Sequence, residues 1–359
     1  MDNSTLPFAC QHEPIELEEI IRIIIIIVCS VVGIALNGIL IIVVLSTDGR
    51  GDVSGQFQTV MILSISISDL AYLILTPVHD ISMIFYDSVF GSPVVCPMFG
   101  FVLVFTQGVS SLSLCLLSFD RYRAIMKPMQ HRQWQKKRRY AAATAFIWTL
   151  SISMAIPQLF ISGYEVEECD EGPDMPYCVH NNHFGNLEKI YTTIQVVVFY
   201  LVPVIFITGC YGTIAHKLLQ TPQFEKNVSQ RKATKQRNKL SMALVIISIS
   251  FGICWFPIML NKICMQYIDI FSRFDIMKWI YFVKACPILV YVNCAVDPFI
   301  MFTLSRKYCV ALTKPFRNWK LLPKRLTLHR RPTYTTETIV LESSSQQIGL
   351  NNTERISKI

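Results

Sequence analysis

Seven stretches of this chain are each long and apolar enough to cross a lipid bilayer, and no other feature limits its fold as strongly. They cover approximately residues 20–45, 57–84, 94–126, 140–161, 190–219, 240–263 and 276–304. A helix needs about 20 predominantly apolar residues to span roughly 30 Å of hydrocarbon. Lipid offers no hydrogen bonds, so each backbone N–H and C=O must find its partner within the segment, and the runs are expected to be helices. The fold class that follows is an all-α membrane protein, a seven-transmembrane helix bundle over residues 20–304. With 52% hydrophobic and 16% charged residues, the chain lacks the polar surface of a separate water-soluble domain.

Charge sets the orientation, because Lys and Arg collect on the cytoplasmic side. Residues 121–139 hold eight basic residues and no acid, and residues 216–239 hold seven basic residues against Glu225 alone. Both loops are therefore expected inside. The segment 1–19 carries Asp2, Glu13, Glu16, Glu18 and Glu19 without a Lys or Arg, which makes it an extracellular N-terminal segment. It has no basic head, apolar core or cleavage pattern of a removable signal peptide, so the first span is expected to act as the insertion signal. The loop 46–56 departs from the rule, with Asp48 and Asp52 against Arg50, but the two strongly basic loops outweigh it. Seven crossings leave the carboxyl end inside, in a multi-pass protein of the plasma membrane.

Pro77, Pro157, Pro203, Pro257, Pro287 and Pro298 lie within the spans, where each removes a backbone donor and bends its helix. Bent helices open cavities and supply hinges, although membrane helices also carry proline without such a role. After Leu304, the run Ser305-Arg306-Lys307-Tyr308-Cys309-Val310-Ala311-Leu312 alternates basic and apolar residues. That is the pattern of a short amphipathic eighth helix, residues 305–317, lying in the membrane interface. Cys309 is there either a palmitoylation site or a plain thiol. Residues 318–359 are basic and then rich in Ser and Thr, the composition of a disordered cytoplasmic tail.

Ionisable residues inside a span are costly and mark function by default. Asp69 lies deep in the second run and Asp297 at mid-depth in the seventh. If the two approach, they must share a proton or hold a cation, because two like charges in a low dielectric repel. Asp120-Arg121-Tyr122 puts a guanidinium at the inner end of the third run. Asp120 can hold Arg121 in a local ion pair whose release frees five donors; the plainer reading is an arginine snorkelling to the interface. Phe251 and Trp255 share a face beside the Pro257 kink, where they either turn ligand pressure into helix rotation or simply pack the core.

In their joint order and spacing, Asn37, Asp69, Cys96, Asp120-Arg121-Tyr122, Trp148, Pro203, Tyr211, Phe251-x-x-Cys254-Trp255-x-Pro257 and Asn293-x-x-x-Asp297-Pro298 resemble the rhodopsin-like (class A) G-protein-coupled receptors over residues 20–312. The resemblance implies a transducer and not an enzyme. Ligand binding outside swings the sixth span outward, and Asp120, Arg121, Tyr122 and Tyr211 then serve coupling to a heterotrimeric G protein. It implies an activation switch made of Phe251, Trp255, Pro257, Asp297 and Pro298. It also implies an allosteric sodium ion at Asp69, Ser110, Asn293 and Asp297, beside Trp255, and no other cofactor. One place departs from the family pattern. Where Asn-Pro-x-x-Tyr is usual, the chain reads Asp297-Pro298-Phe299-Ile300-Met301, so Met301 lacks the hydroxyl that bridges to Tyr211 in the active state. Weaker coupling is expected, or other contacts must stand in.

The resemblance further implies a Cys96–Cys178 disulfide, since Cys178 stands 25 residues before Pro203, like the family's second-outer-loop cysteine. Cys10 and Cys169 are also expected outside; a bridge between them, or one that enlists Cys286, stays open. The ligand-cavity wall is expected at Leu103, Val104, Gln107, Trp255, Met259, Lys262, Pro287 and Tyr291. Leu103 stands where amine receptors carry a carboxylate and Tyr291 where an opsin carries its retinal lysine, so neither a monoamine nor light is expected. The loop 162–186 holds Glu165, Glu167, Glu168, Asp170, Glu171 and Asp174 and no Lys or Arg. With the acidic segment 1–19 it forms a negative mouth that attracts cations, which fits a basic extracellular peptide, or else it is a plain solvated loop. Lys262 lies two turns outward of Trp255, to meet a peptide carboxylate or amide end or to pair with a loop acid. Gly108-Val-Ser-Ser-Leu-Ser-Leu, Asp120-Arg-Tyr-Arg-Ala-Ile-Met-Lys-Pro-Met129 and Cys254-Trp-Phe-Pro257 resemble the bombesin and endothelin branch of peptide receptors more narrowly.

Asn3-Ser4-Thr5 is a glycosylation acceptor expected outside, whereas Asn227 and Asn351 match the pattern on the inner side. Thr333, Thr335, Thr336, Thr338, Ser343, Ser344 and Ser345 offer phosphorylation sites for receptor kinases, and phosphates there would suit arrestin. No nucleic-acid partner is expected. Two readings from other classes compete. One is a non-signalling or weakly coupled seven-transmembrane receptor that scavenges ligand. The other is a transporter relaying cations through Asp69 and Asp297; it calls for inverted repeats or paired broken helices, and neither is visible in the sequence.

Overall fold

The outward-facing side chains are those that only a lipid solvent tolerates. Ile42, Phe146, Ile205 and Ile253, on four different spans, are 66%, 65%, 70% and 65% exposed, while Ser68, Ser111, Ser113 and Gln107 are fully buried. A computed structural model describes residues 17–47, 53–85, 93–134, 137–167, 175–180, 185–220, 228–268, 276–305, 308–310 and 312. Seven of its helical segments are long and apolar enough to cross a membrane. The helices are α1 (Leu17–Thr47), α2 (Val53–Phe85), α3 (Val95–Met126), α4 (Pro128–Trp134), α5 (Lys137–Ala155), α6 (Gln158–Ile161), α7 (Asn186–Val196), α8 (Val202–Gln220), α9 (Val228–Tyr267) and α10 (Ile276–Leu304).

The prolines shape the spans differently. The fourth span, read from the sequence as one helix, is two: α5 stops at Ala155, and Pro157 caps the short α6. In the fifth span a π turn at Val197–Leu201 joins α7 to α8 immediately before Pro203. Pro203 cannot donate and its ring crowds the carbonyl four residues back, and a widened turn relieves both. Pro77, Pro257, Pro287 and Pro298 are accommodated inside continuous helices. The sixth helix also reaches further inward than the apolar run, from Val228, through basic residues that are good helix formers.

The third span is the axis of the bundle. Its apolar window is 67% buried, against 28% for the first and fourth spans. It packs on α2, α5, α8 and α9. Two glycines let backbones approach: a Cβ on Gly108 would lie 2.7 Å from Ser151 Oγ and 2.8 Å from the Phe199 ring, and one on Gly33 would lie 2.6 Å from Leu73. Polar side chains tie the spans together. Asn37 Nδ2 donates to the carbonyls of Gly33 and Cys294, at 3.0 and 2.9 Å, and Trp148 Nε1 donates to Ser64 Oγ at 3.3 Å.

The outer loop expected at 162–186 contains an antiparallel hairpin, β1 (Ser162–Glu167) and β2 (Met175–His180), with Tyr164 opposite Cys178. Cys178 is bonded to Cys96 in the first turn of α3, with Cα atoms 5.5 Å apart. Cys286, left open above as a bridge partner, is a free buried thiol donating to the Phe282 carbonyl. Helical residues continue after Leu304, where the Cys309 N–H donates to the Ser305 carbonyl; Tyr308 is buried and Cys309 exposed. Asn3, Cys10, Cys169, Glu168, Asp170, Glu171, Asp174, most of the expected eighth helix and the tail's Ser and Thr sites lie outside the described residues.

Candidate functional site

The inner end of α3 is a closed clamp. Arg121 Nη2 lies 3.4 Å from Asp120 Oδ2, and both side chains are almost wholly buried. Gln58 Nε2, from α2, donates to the same carboxylate at 3.2 Å, and His131 Nε2, from α4, lies 3.7 Å from its other oxygen. Asp120 is thus gripped from three elements, two more than the sequence indicated. Tyr211, on α8, keeps its hydroxyl buried and out of hydrogen-bond contact with Arg121. Tyr122 beside it is half-buried. A hydrogen bond to a charged group is worth about 1.5–3 kcal/mol, so the clamp favours the closed state by roughly one to two powers of ten. Asp120→Asn is accordingly expected to raise agonist-independent nucleotide exchange about tenfold or more, measured in membranes with added G protein. Unchanged basal exchange would mean that the clamp restrains nothing.

At mid-depth, Asp69 and Asp297 line one small cavity of about 20 Å³ together with Asn37, Leu244, Ile247, Pro298 and Met301. That is room for a single water or small ion. Asp69 Oδ2 and Asp297 Oδ1 are both buried without a hydrogen-bond partner, the arrangement a small cation would complete. Asn293 Nδ2 donates to Asp297 Oδ2 at 3.2 Å and its carbonyl accepts from Ser250. Ser110 is engaged elsewhere, sharing a 2.8 Å hydrogen bond with Ser68. Met301, 2% exposed, walls the cavity with a thioether, so the Tyr211 hydroxyl finds no partner there.

Above this level runs a chain of rings. Phe251 and Trp255 have centroids 5.8 Å apart, Trp255 meets Tyr72 edge-on at 6.4 Å, and Tyr72 meets Tyr291 at 5.1 Å. Tyr200 donates to the Gly252 carbonyl at 2.7 Å, fastening the fifth span to the sixth beside Phe251. Leu103, Trp255, Met259 and Tyr291 belong to one buried cluster, and Gln107 Nε2 donates to Met259 Sδ at 3.1 Å. Gln195, from α7, adds to this wall by donating to Gln107 Oε1 at 3.3 Å. Val104 instead packs with Ala155 and Phe199 toward the fourth and fifth spans. The reason is helical geometry: Leu103 and Gln107 are four residues apart and share a face, while Val104 is turned about 100° from Leu103. Lys262 is half-buried one turn outward of Met259. Pro287 lies inside α10.

A further buried acid lies beyond the ring chain. Asp80, near the outer end of α2, is 4% exposed, and its Oδ2 accepts from the Tyr291 hydroxyl at 2.8 Å, which is also bonded to Thr76. The rule applied to Asp69, an acid within an apolar run, finds Asp80 as well.

A bundle of seven spans with a clamped arginine at the inner end of its central helix, buried acids at its middle and an aromatic column above defines a membrane receptor that transmits between its two faces. The sequence matches the 7 transmembrane receptor (rhodopsin family) over residues 36–301. The chain belongs to this family, the rhodopsin-like G-protein-coupled receptors, and is a receptor rather than an enzyme. Among curated relatives it is 27% identical to bombesin receptor subtype-3 of Ovis aries over 285 residues, covering 77% of this chain and 70% of that one. It is 26% identical to the [Phe13]-bombesin receptor of Bombina orientalis, covering 77% and 71%, and 26% identical to galanin receptor type 2 of Mus musculus, covering 79% and 74%.

Proposed function

We propose that this receptor binds an extracellular basic peptide and answers by releasing Arg121 to a heterotrimeric G protein, with its amino terminus outside. The observation that carries the reading is the closed Asp120–Arg121 clamp with Tyr211 standing apart, a resting state with an evident way to open. Peptide recognition is supported by the bombesin and galanin receptors among its relatives and by the acidic Glu165 and Glu167 of β1. Leu103, Gln107, Trp255, Met259, Lys262 and Tyr291 serve as the peptide pocket, and the ring chain from Tyr291 to Phe251 carries its pressure to the Pro257 hinge. Sodium fits between Asp69 and Asp297, whose unpartnered oxygens would hold it and whose like charges it would neutralise. Phosphorylation of the tail by receptor kinases and arrestin binding complete the cycle.

The test is a screen of basic and amidated peptides on cells expressing the chain, read by calcium and cyclic nucleotide together. A peptide response that needs Arg121 is expected. Uptake of peptide with no exchange on any G protein would favour a scavenging receptor and overturn the signalling role.

A further inference from the structure

We propose that Asp80 is the anchor for a cationic group of the ligand, a guanidinium or ammonium entering between the outer ends of α2 and α10. This rests on the receptor reading above and narrows the chemistry of its pocket. An ionised carboxylate taken out of water costs several kcal/mol unless a cation meets it. The Asp80 side chain is buried, yet among the described residues no lysine or arginine lies within ion-pair distance of it. Its partners are the Tyr291 hydroxyl and the His79 imidazole, whose Nδ1 is 3.3 Å from Oδ1.

The basic side chains nearby are committed to another acid. Arg22 Nη1 pairs with Glu19 at 3.2 Å, and its Nη2 reaches only the backbone carbonyl of Asp80, at 3.5 Å. Lys284, on α10, pairs with Glu19 too. One glutamate therefore holds both of these cations and leaves the deeper aspartate to the Tyr291 hydroxyl and the His79 imidazole. His79 is stacked on Phe99 with centroids 3.6 Å apart, and its Nε2 is 3.5 Å from the sulfur of Cys178 on the hairpin.

An arriving cation would take Asp80 Oδ2 from the Tyr291 hydroxyl, which keeps Thr76 as a partner. It would also lie against the aromatic faces of Tyr291 and Tyr72, which favour positive charge. Tyr72 meets Trp255 directly and Tyr291 meets Tyr72, so the subsite adjoins the proposed switch.

The probes are argininamide and its neutral isostere citrullinamide, added to the purified full-length chain without G protein. About 10 mM argininamide is expected to raise the melting temperature by roughly 2–4 °C more than citrullinamide does. Asp80→Asn, which preserves shape and an acceptor for Tyr291, is expected to erase that difference. Tyr291→Phe, which keeps the charge and removes the competing hydroxyl, is expected to retain it. Equal shifts from the two amides in the wild-type chain, a difference that survives Asp80→Asn, or its loss in Tyr291→Phe would each overturn the proposal, and the Tyr291 variant and wild type decide the matter even if Asp80→Asn does not fold. A chain that signals to peptides while failing this test remains a receptor and loses only this anchor.

Discussion

Arg121→Ala is expected to lower agonist-driven nucleotide exchange at least a hundredfold while ligand affinity at the outer face changes by less than about threefold. The separation follows from position. Arg121 is at the inner end of α3, and the proposed pocket residues of the same helix, Leu103 and Gln107, lie 18 and 14 residues outward. At about 1.5 Å per residue the nearer is roughly 20 Å away. The guanidinium carries five fixed donors, and alanine offers none to the partner that the open state exposes. Arg121→Lys should fall between, because an ammonium keeps the charge but loses the planar fork. Exchange assays on a panel of G proteins, run beside ligand-binding measurements, check both halves. Signalling at the wild-type level in Arg121→Ala would remove the clamp from the mechanism.

The second large effect is expected from Cys96→Ser. The disulfide joins α3 to β2 across a separation of 82 residues and holds the hairpin beside His79. Removing a native bridge of this kind typically costs about 2–5 kcal/mol. Ligand affinity should fall more than tenfold and the melting temperature should drop. Cys178→Ser and the double variant should match Cys96→Ser, since either substitution alone removes the whole bond. Cys286→Ser serves as the contrast, because that thiol is free and should leave binding nearly unchanged. A double variant markedly worse than either single would show that the two cysteines do not act as a pair.

Residues that signal through their immediate neighbours were legible in the sequence. A carboxylate in an apolar run, an Asp-Arg-Tyr at a helix end and a Trp near a proline are local patterns, and Asp69, Arg121 and Trp255 carry them. The distant partners of buried polar groups were not legible. Gln58 reaches Asp120 across 62 positions, Gln195 reaches Gln107 across 88 and Tyr291 reaches Asp80 across 211. Glutamine and tyrosine carry no local mark when they sit in an apolar helix. Only the neighbour they meet shows what they do. Val104 adjoins Leu103 in sequence, yet the helical rotation of about 100° between them turns it toward Ala155 and Phe199, a placement that one-dimensional adjacency does not show.

The sequence by itself determined how many times the chain crosses the membrane and which segments do so, because in hydrocarbon each span must satisfy its own backbone and that requirement is written in short stretches. It also determined the sign of the charge on the connecting segments. Tertiary structure alone decided which buried polar groups meet. Glu19 takes both Arg22 and Lys284, leaving Asp80 without a permanent cation. Helix rotation and crossing, set by small residues such as Gly108 and by the widened turn before Pro203, place side chains from distant segments within bonding reach, and no local pattern encodes that meeting.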